Sequence, residues 1–136
     1  MDVIIVDNLE NSRIQVLDGI QSITGKTPVF RQMDVSDASE MNQLFDDFSD
    51  CAGIIHFAAY KSVSESVSEP LRYYDNNLGG LQLLLKHATS KAIPLIFSSS
   101  CTVYGQSEIL PIREDEPLKE ATSPLWKHQT DRRANH

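Results

Sequence analysis

Val3-Ile4-Ile5-Val6-Asp7-Asn8 is a run of four β-branched residues closed by two short polar ones. A run this brief and apolar reads as a buried strand rather than a helix. The pattern then repeats along the chain. From Ser12 to Ile23 the apolar residues Ile14, Leu17 and Ile20 fall three apart, with Val16 beside them, which predicts an amphipathic helix that Gly19 weakens. Thr24-Gly25-Lys26-Thr27-Pro28 reads as a turn, and Val29 to Met33 as a second strand closed by Asp34. Ser36 is placed to cap the next helix, with Glu40 in its first turn and Met41, Leu44, Phe45 and Phe48 on its inner side. Gly53-Ile54-Ile55-His56-Phe57-Ala58 reads as a third strand. Pro70 to Ser90 is the longest predicted helix, with Leu78, Leu81, Leu84 and Leu85 inward, and Leu95-Ile96-Phe97 a fourth strand running into Ser98-Ser99-Ser100.

Apolar strands alternating with helices predict an α/β fold, doubly wound on a parallel sheet. In such sheets ligands lie at the carboxyl ends of the strands. The polar clusters Asp7-Asn8, Asp34, Lys61-Ser62 and Ser98-Ser99-Ser100 fall at or near those ends, which points to a nucleotide site. After Tyr104-Gly105 the chain turns loop-like, with Pro111, Pro117 and Pro124, and it carries no internal repeat, low-complexity stretch or clear linker.

Composition narrows the classes. The 136 residues suffice for one domain. At 40% hydrophobic and 23% charged, they have the balance of a globular chain. A net charge of −7 argues against a nucleic-acid or anionic-membrane partner, though backbone N–H groups and a single lysine can still hold a phosphate. No apolar run approaches the roughly 20 residues that span a bilayer. Met1-Asp2-Val3 lacks the basic start of a secretory signal. Cys51 and Cys101 are too few for a disulfide framework and read as reduced cysteines of a cytoplasmic protein. His56, His87, His128 and His136 show no metal-ligand spacing, and His56 reads as a satisfied core residue.

Individual residues carry two readings each. Asp7 can accept both ribose hydroxyls of an adenosine, which favours NAD over its 2′-phosphorylated form, or it can serve a strand-end turn; its context favours the ribose. Asp34 either meets an adenine amino group or caps the following helix. Lys61 is either a cation for a pyrophosphate or ribose or a solvated surface charge. Asn77, on a helix expected to face the cofactor, is a ligand contact or a structural amide. Ser100 is a turn residue or a hydroxyl that bonds a substrate hydroxyl while a base removes its proton. No G-x-S-x-G elbow supports a hydrolase nucleophile.

Four segments together resemble the extended short-chain dehydrogenase/reductase superfamily, and within it the UDP-glucose 4-epimerases. They are Val6-Asp7-Asn8-Leu9-Glu10-Asn11-Ser12, His56-Phe57-Ala58-Ala59-Tyr60-Lys61-Ser62-Val63-Ser64-Glu65-Ser66, Pro70-Leu71-Arg72-Tyr73-Tyr74-Asp75-Asn76-Asn77, and Phe97-Ser98-Ser99-Ser100-Cys101-Thr102-Val103-Tyr104-Gly105. The resemblance runs from residue 2 to about residue 124, and the order and spacing of the segments make it specific. It implies a partial NAD-binding Rossmann-like domain over residues 1–124 and a UDP-hexose substrate. In that chemistry hydride leaves C4 for bound NAD, a tyrosine takes the hydroxyl proton, and hydride returns to the other face of the 4-keto sugar. It implies that Asp7, Asn8, Asn11 and Ser12 hold the adenosine ribose, that Asp34 and Val35 flank adenine, and that Phe57, Ala58, Lys61 and Asn77 line the cofactor. Ser100 corresponds to the catalytic serine. The family is often homodimeric.

The chain departs from the family pattern twice. The family begins with a strand and a glycine-rich phosphate-binding turn, and here Met1 stands where the second strand starts. The strand lacking is central in the order 3-2-1-4-5-6, so its neighbours are expected to lose hydrogen-bond partners and the chain to be unstable or prone to aggregate. After Ser123-Pro124 the family carries a tyrosine and, four residues on, a lysine; here stand Leu125 and Gln129. Residues 125–136, written in permitted codons and read one nucleotide further on, give Tyr-Gly-Asn-Thr-Lys-Gln-Ile-Gly-Glu-Gln-Ile, which restores both at that spacing. A one-nucleotide insertion is therefore expected, against the alternative of a divergent tail on a genuine short protein. A fragment without its base is expected to be inactive, whether as part of an epimerase, as a nonenzymatic nucleotide-binding relic or as a pseudogene product. Preference for N-acetylated UDP-hexoses is a close variant of the first reading.

Overall fold

The computed structural model describes residues 2–104, 110–117 and 119. Strands and helices alternate along them. β1 (Ile4–Asp7), β2 (Val29–Gln32), β3 (Ile54–His56) and β4 (Leu95–Phe97) are the strands; α1 (Val16–Thr24) and α2 (Ala38–Asp47) separate the first three. Between β3 and β4 run α3 (Val63–Ser68), α4 (Pro70–Tyr74), a π-helical turn (Asp75–Gly79) and α5 (Gly80–Lys91), and a 3-10 turn (Cys101–Tyr104) follows β4. The tail from residue 125 lies outside the described residues.

The pairing is parallel throughout but divides into two sheets, β1 with β2 and β3 with β4. Val3 and Asp7 direct their carbonyls to the N–H groups of Val29 and Met33, so the alternation of a parallel ladder turns Ile4 and Val6 to the opposite edge. Likewise Ile54 donates to Pro94 and His56 accepts from Ser98, which turns Ile55 away from β4. Among the described residues no ladder joins β1 to β3. Among the described residues the two strand pairs are thus separate sheets.

What unites the pairs is a shared core. Met33, Met41, Phe45, Leu84 and Ile93 are buried together, and Val6, Val35, Leu44, Ile54 and Leu95 pack against them, so both pairs and both long helices contribute. The Phe45 and His87 rings stack at 4.4 Å between α2 and α5. On β3 and β4, Ile55 and Ile96 are register partners on the other face and remain 59% and 63% exposed. His56 is buried, as expected, and lies 6.0 Å from Phe97.

Several boundaries differ from expectation for local reasons. The first helix begins at Val16 rather than Ser12, because Leu9 is left-handed (φ 62°) and the Ser12 hydroxyl bonds back to Asp7. α1 buries no residue completely, and Ile23 is 87% exposed. The cap of α2 is Asp37, not Ser36: its Oδ1 accepts from the N–H groups of Ser39 and Glu40 at 2.8 and 2.9 Å. The long helix from Pro70 is not uniform, since a π turn interrupts it at Asp75–Gly79. Along it Leu81 and Leu84 are buried while Leu78 and Leu85 are half-buried. At Gly80 an added Cβ would stand 2.9 Å from Val35 Cγ2, so only glycine lets α5 lie this close to the loop after β2.

Candidate functional site

The carboxyl end of β1 is organised by Asp7. Its Oδ1 accepts from the Leu9 N–H and the Ser12 hydroxyl, each at 2.7 Å, which bends the chain back over the strand end. Its Oδ2 carries no bond among the described residues. Asn8 accepts from the Glu10 N–H through Oδ1 (3.0 Å) and donates through Nδ2 to Asp34 Oδ2 (3.2 Å), tying the end of β1 to the end of β2. Asn11 is exposed on the same loop.

Asp34 is the meeting point of that half. Its Oδ1 accepts from the Ser36 N–H at 2.8 Å and the Ser36 hydroxyl at 2.6 Å, and its own N–H donates to Glu40 Oε2 at 3.0 Å. Burial pushes the carboxyl up, but the hydrogen bonds from Ser36 and Asn8 together outweigh it and hold Asp34 below its ordinary value. Asp34 is thus an ionised acceptor, and the helix cap falls to Asp37. Val35 beside it is half-buried against Gly80.

The loop after β3 is held differently. Asn77, only 2% exposed, accepts from the Tyr60 N–H at 2.8 Å and donates to the Tyr60 carbonyl at 3.1 Å. Its amide braces the loop that carries Lys61, and its Oδ1 also accepts from Asn76 Nδ2 at 2.8 Å. The π turn places it there; such turns often occur at functional positions. Lys61 and Ala58 are exposed, Phe57 is 75% exposed, and Lys61 makes no ion pair among the described residues. Ser62 caps α3 by accepting from Glu65 N, and the Tyr73 hydroxyl accepts from Ser62 N at 3.2 Å. Ser100 is half-buried beyond β4.

Glu10, Tyr60, Glu65, Arg72 and Tyr73 form a polar cluster between these loops that sequence reasoning does not single out. Arg72 bonds Glu10 at 2.5 Å and Glu65 at 2.7 Å, and lies 4.8 Å over the Tyr60 ring. All five stand inside the motif segments, but nothing in their spacing announces the contacts. A groove of about 920 Å³ is lined by Asp34, Tyr60, Arg72, Asn76, Leu83 and Lys86, among others, and so runs between the two halves. Among the described residues no group of three or more histidines, cysteines and acids is placed to hold a metal. No helix among them is long and apolar enough to cross a membrane.

The family model of the NAD dependent epimerase/dehydratase family matches residues 1–134. The chain belongs to that family. It is 42% identical over 123 residues to the UDP-glucose 4-epimerase of Neisseria meningitidis serogroup A, an alignment covering 90% of this chain and 36% of the relative. Against the Bacillus subtilis UDP-glucose 4-epimerase it is 40% identical over 124 residues, with the same coverage of 90% and 36%. The crystal structure of UDP-glucose 4-epimerase from Bifidobacterium longum in complex with NAD+ and UDP superposes with a TM-score of 0.90 at 39% identity, covering 98% of this chain and 40% of that one. The chain therefore spans well under half the length of these relatives. Its fold is the corresponding part of the family's Rossmann-like α/β domain, with parallel strands.

Proposed function

We propose that this chain is the dinucleotide-holding part of a UDP-glucose 4-epimerase, and that the whole enzyme interconverts UDP-glucose and UDP-galactose in galactose metabolism. The observation that carries the reading is the Asp7 carboxylate: one oxygen is locked into its own loop, while the other stands at a parallel strand end with no protein donor among the described residues. That oxygen can accept from a ribose hydroxyl, and a carboxylate there repels a 2′-phosphate. The residues at hand fit the adenosine half of NAD. Asp7 takes the ribose with Asn8, Asn11 and Ser12 around it, Asn8 and Ser12 also keeping the loop in shape, and Asp34 and Val35 border the adenine. Phe57, Ala58 and Lys61 line the rest, with Lys61 a cation for phosphate, and Asn77 sets the height of their loop. When bound, NAD supplies a hydride acceptor for the sugar carbon. Ser100 holds the sugar hydroxyl that loses its proton, while Leu125 stands where the family carries its tyrosine base. A cytoplasmic location, a UDP-hexose partner and a homodimeric whole enzyme belong to the same reading.

Calorimetric titration of the purified chain with NAD and with NADP tests it. NAD is expected to bind more tightly. Asp7→Asn keeps the loop acceptor but loses the charge, so it should weaken NAD by about tenfold and narrow the gap to NADP. Equal affinities for the two dinucleotides in the unaltered chain would refute the assignment. Binding of NAD by a stable chain that shows no turnover of UDP-glucose favours a nonenzymatic nucleotide-binding role instead.

A further inference from the structure

Among the described residues the two strand pairs share a core but no backbone ladder, and side-chain bonds join their carboxyl-end loops directly. We propose that Arg72, bridging Glu10 and Tyr60, is a positioning clamp that fixes the spacing between the Asp7 loop and the Lys61 loop. It thereby sets affinity for ligands that touch both. This rests on the dinucleotide reading above.

The contacts form a closed circuit. Arg72 Nη2 donates to Glu10 Oε1 at 2.5 Å, the Tyr60 hydroxyl donates to Glu10 Oε2, and the guanidinium carbon lies 4.8 Å over the Tyr60 ring. Glu10 stands three residues beyond Asp7, and Tyr60 directly precedes Lys61, so the circuit joins one loop to the other at the positions that matter. Its other arm is anchored in α3: Arg72 Nη1 bonds Glu65 Oε1 at 2.7 Å and lies 3.6 Å from Glu69, while Glu65 Oε2 accepts from the Tyr73 hydroxyl at 2.7 Å. The planar fork of arginine serves two carboxylates at fixed angles, which a lysine ammonium does not reproduce. Burial and the Glu10 carboxylate push the Tyr60 hydroxyl up from its ordinary value, so it remains a donor throughout the neutral range.

The clamp is a weak stabiliser. Arg72, Glu10 and Glu65 are each 41% exposed, and exposed ion pairs add little to folding. A geometric role therefore separates from a structural one by ligand size. AMP reaches only the Asp7 and Asp34 side; NAD spans to the Lys61 loop.

The experiment titrates the 136-residue chain and its Arg72→Met, Arg72→Lys and Glu10→Gln variants with NAD and with AMP, and records each thermal midpoint. Arg72→Met should weaken NAD by about tenfold while AMP stays within about twofold. Glu10→Gln should show the same split more weakly, and Arg72→Lys should restore part of the loss. Parallel weakening of both ligands with a lowered midpoint identifies a structural residue and overturns the proposal, as does unchanged NAD affinity in Arg72→Met. Failure of the unaltered chain to bind NAD is seen before any variant is made; it overturns the dinucleotide reading, and the clamp falls with it.

Discussion

The two parallel pairs hold their ligand-facing loops by opposite means. Beyond β1 and β2 the bonds are short in sequence: Asp7 to Leu9 and Ser12, Asn8 to Glu10, Asp34 to Ser36, with Asn8 to Asp34 the bridge between them. Beyond β3 they are long: Asn77 grips Tyr60, 17 residues away, and Arg72 meets Glu10, 62 residues away. A loop tied to itself keeps its shape wherever its strand goes. A loop tied to a helix keeps its shape only while that helix stays packed, so the Lys61 loop depends on the core beneath α5, whereas among the described residues the Asp7 loop meets that half only through Glu10.

The largest expected effect falls on the core that the two pairs share. Met41 is fully buried where α2 meets the rest of the shared core, and Met41→Ala should cost about 2–5 kcal/mol in urea unfolding. A loss below about 1 kcal/mol would mean that the two pairs do not depend on one core. The next effect separates the loops. Asn77→Leu leaves the half-buried Tyr60 N–H and carbonyl without their partner, at about 1–3 kcal/mol in all. Ser12→Ala removes a single hydroxyl from a half-exposed carboxylate and should cost about 1 kcal/mol or less. Equal costs would erase the distinction between a self-held loop and a braced one.

The same distinction explains what is legible in the sequence. The apolar pattern predicts β4 residue for residue at Leu95–Phe97 and places β1 and β2 each within a residue, because apolar runs bounded by polar residues are local signals. Asp7, Asn8 and Asp34 can be grouped from their positions in the chain alone, since a parallel sheet brings its strand ends to one edge. The family is legible from the order of four motifs. The cap of α2 falls one residue from where the sequence suggests because Ser36 and Asp37 both suit that position; Asp34 takes the serine and leaves the aspartate. That Asn77 bonds Tyr60 is not legible, although a structural amide is one of its two readings, since a π turn alters which face a residue presents and no spacing rule marks one. Nor is Arg72 against Glu10, whose contact depends on how two separately paired strand sets stand to each other.

The smallest effect concerns charge at the self-held loop. Asp34 is kept below its ordinary carboxylate value because, although burial opposes its ionised form, Ser36 and Asn8 bond that form more strongly. A carboxyl depressed in the folded state adds stability that is full above its unfolded value of 3.8 and fades as pH falls through the lower folded value. Asp34→Asn removes that dependence while leaving an acceptor for Ser36. The unaltered chain should therefore lose more of its thermal midpoint than the variant on acidification through 3.8, and the two should keep a constant difference at neutral pH. The difference should be modest, because Asp34 is only partly buried and solvent screens it. Identical acid profiles would show that the folded loop favours the Asp34 charge no more than water does in the unfolded chain, and that the hydrogen bonds around it organise the turn alone.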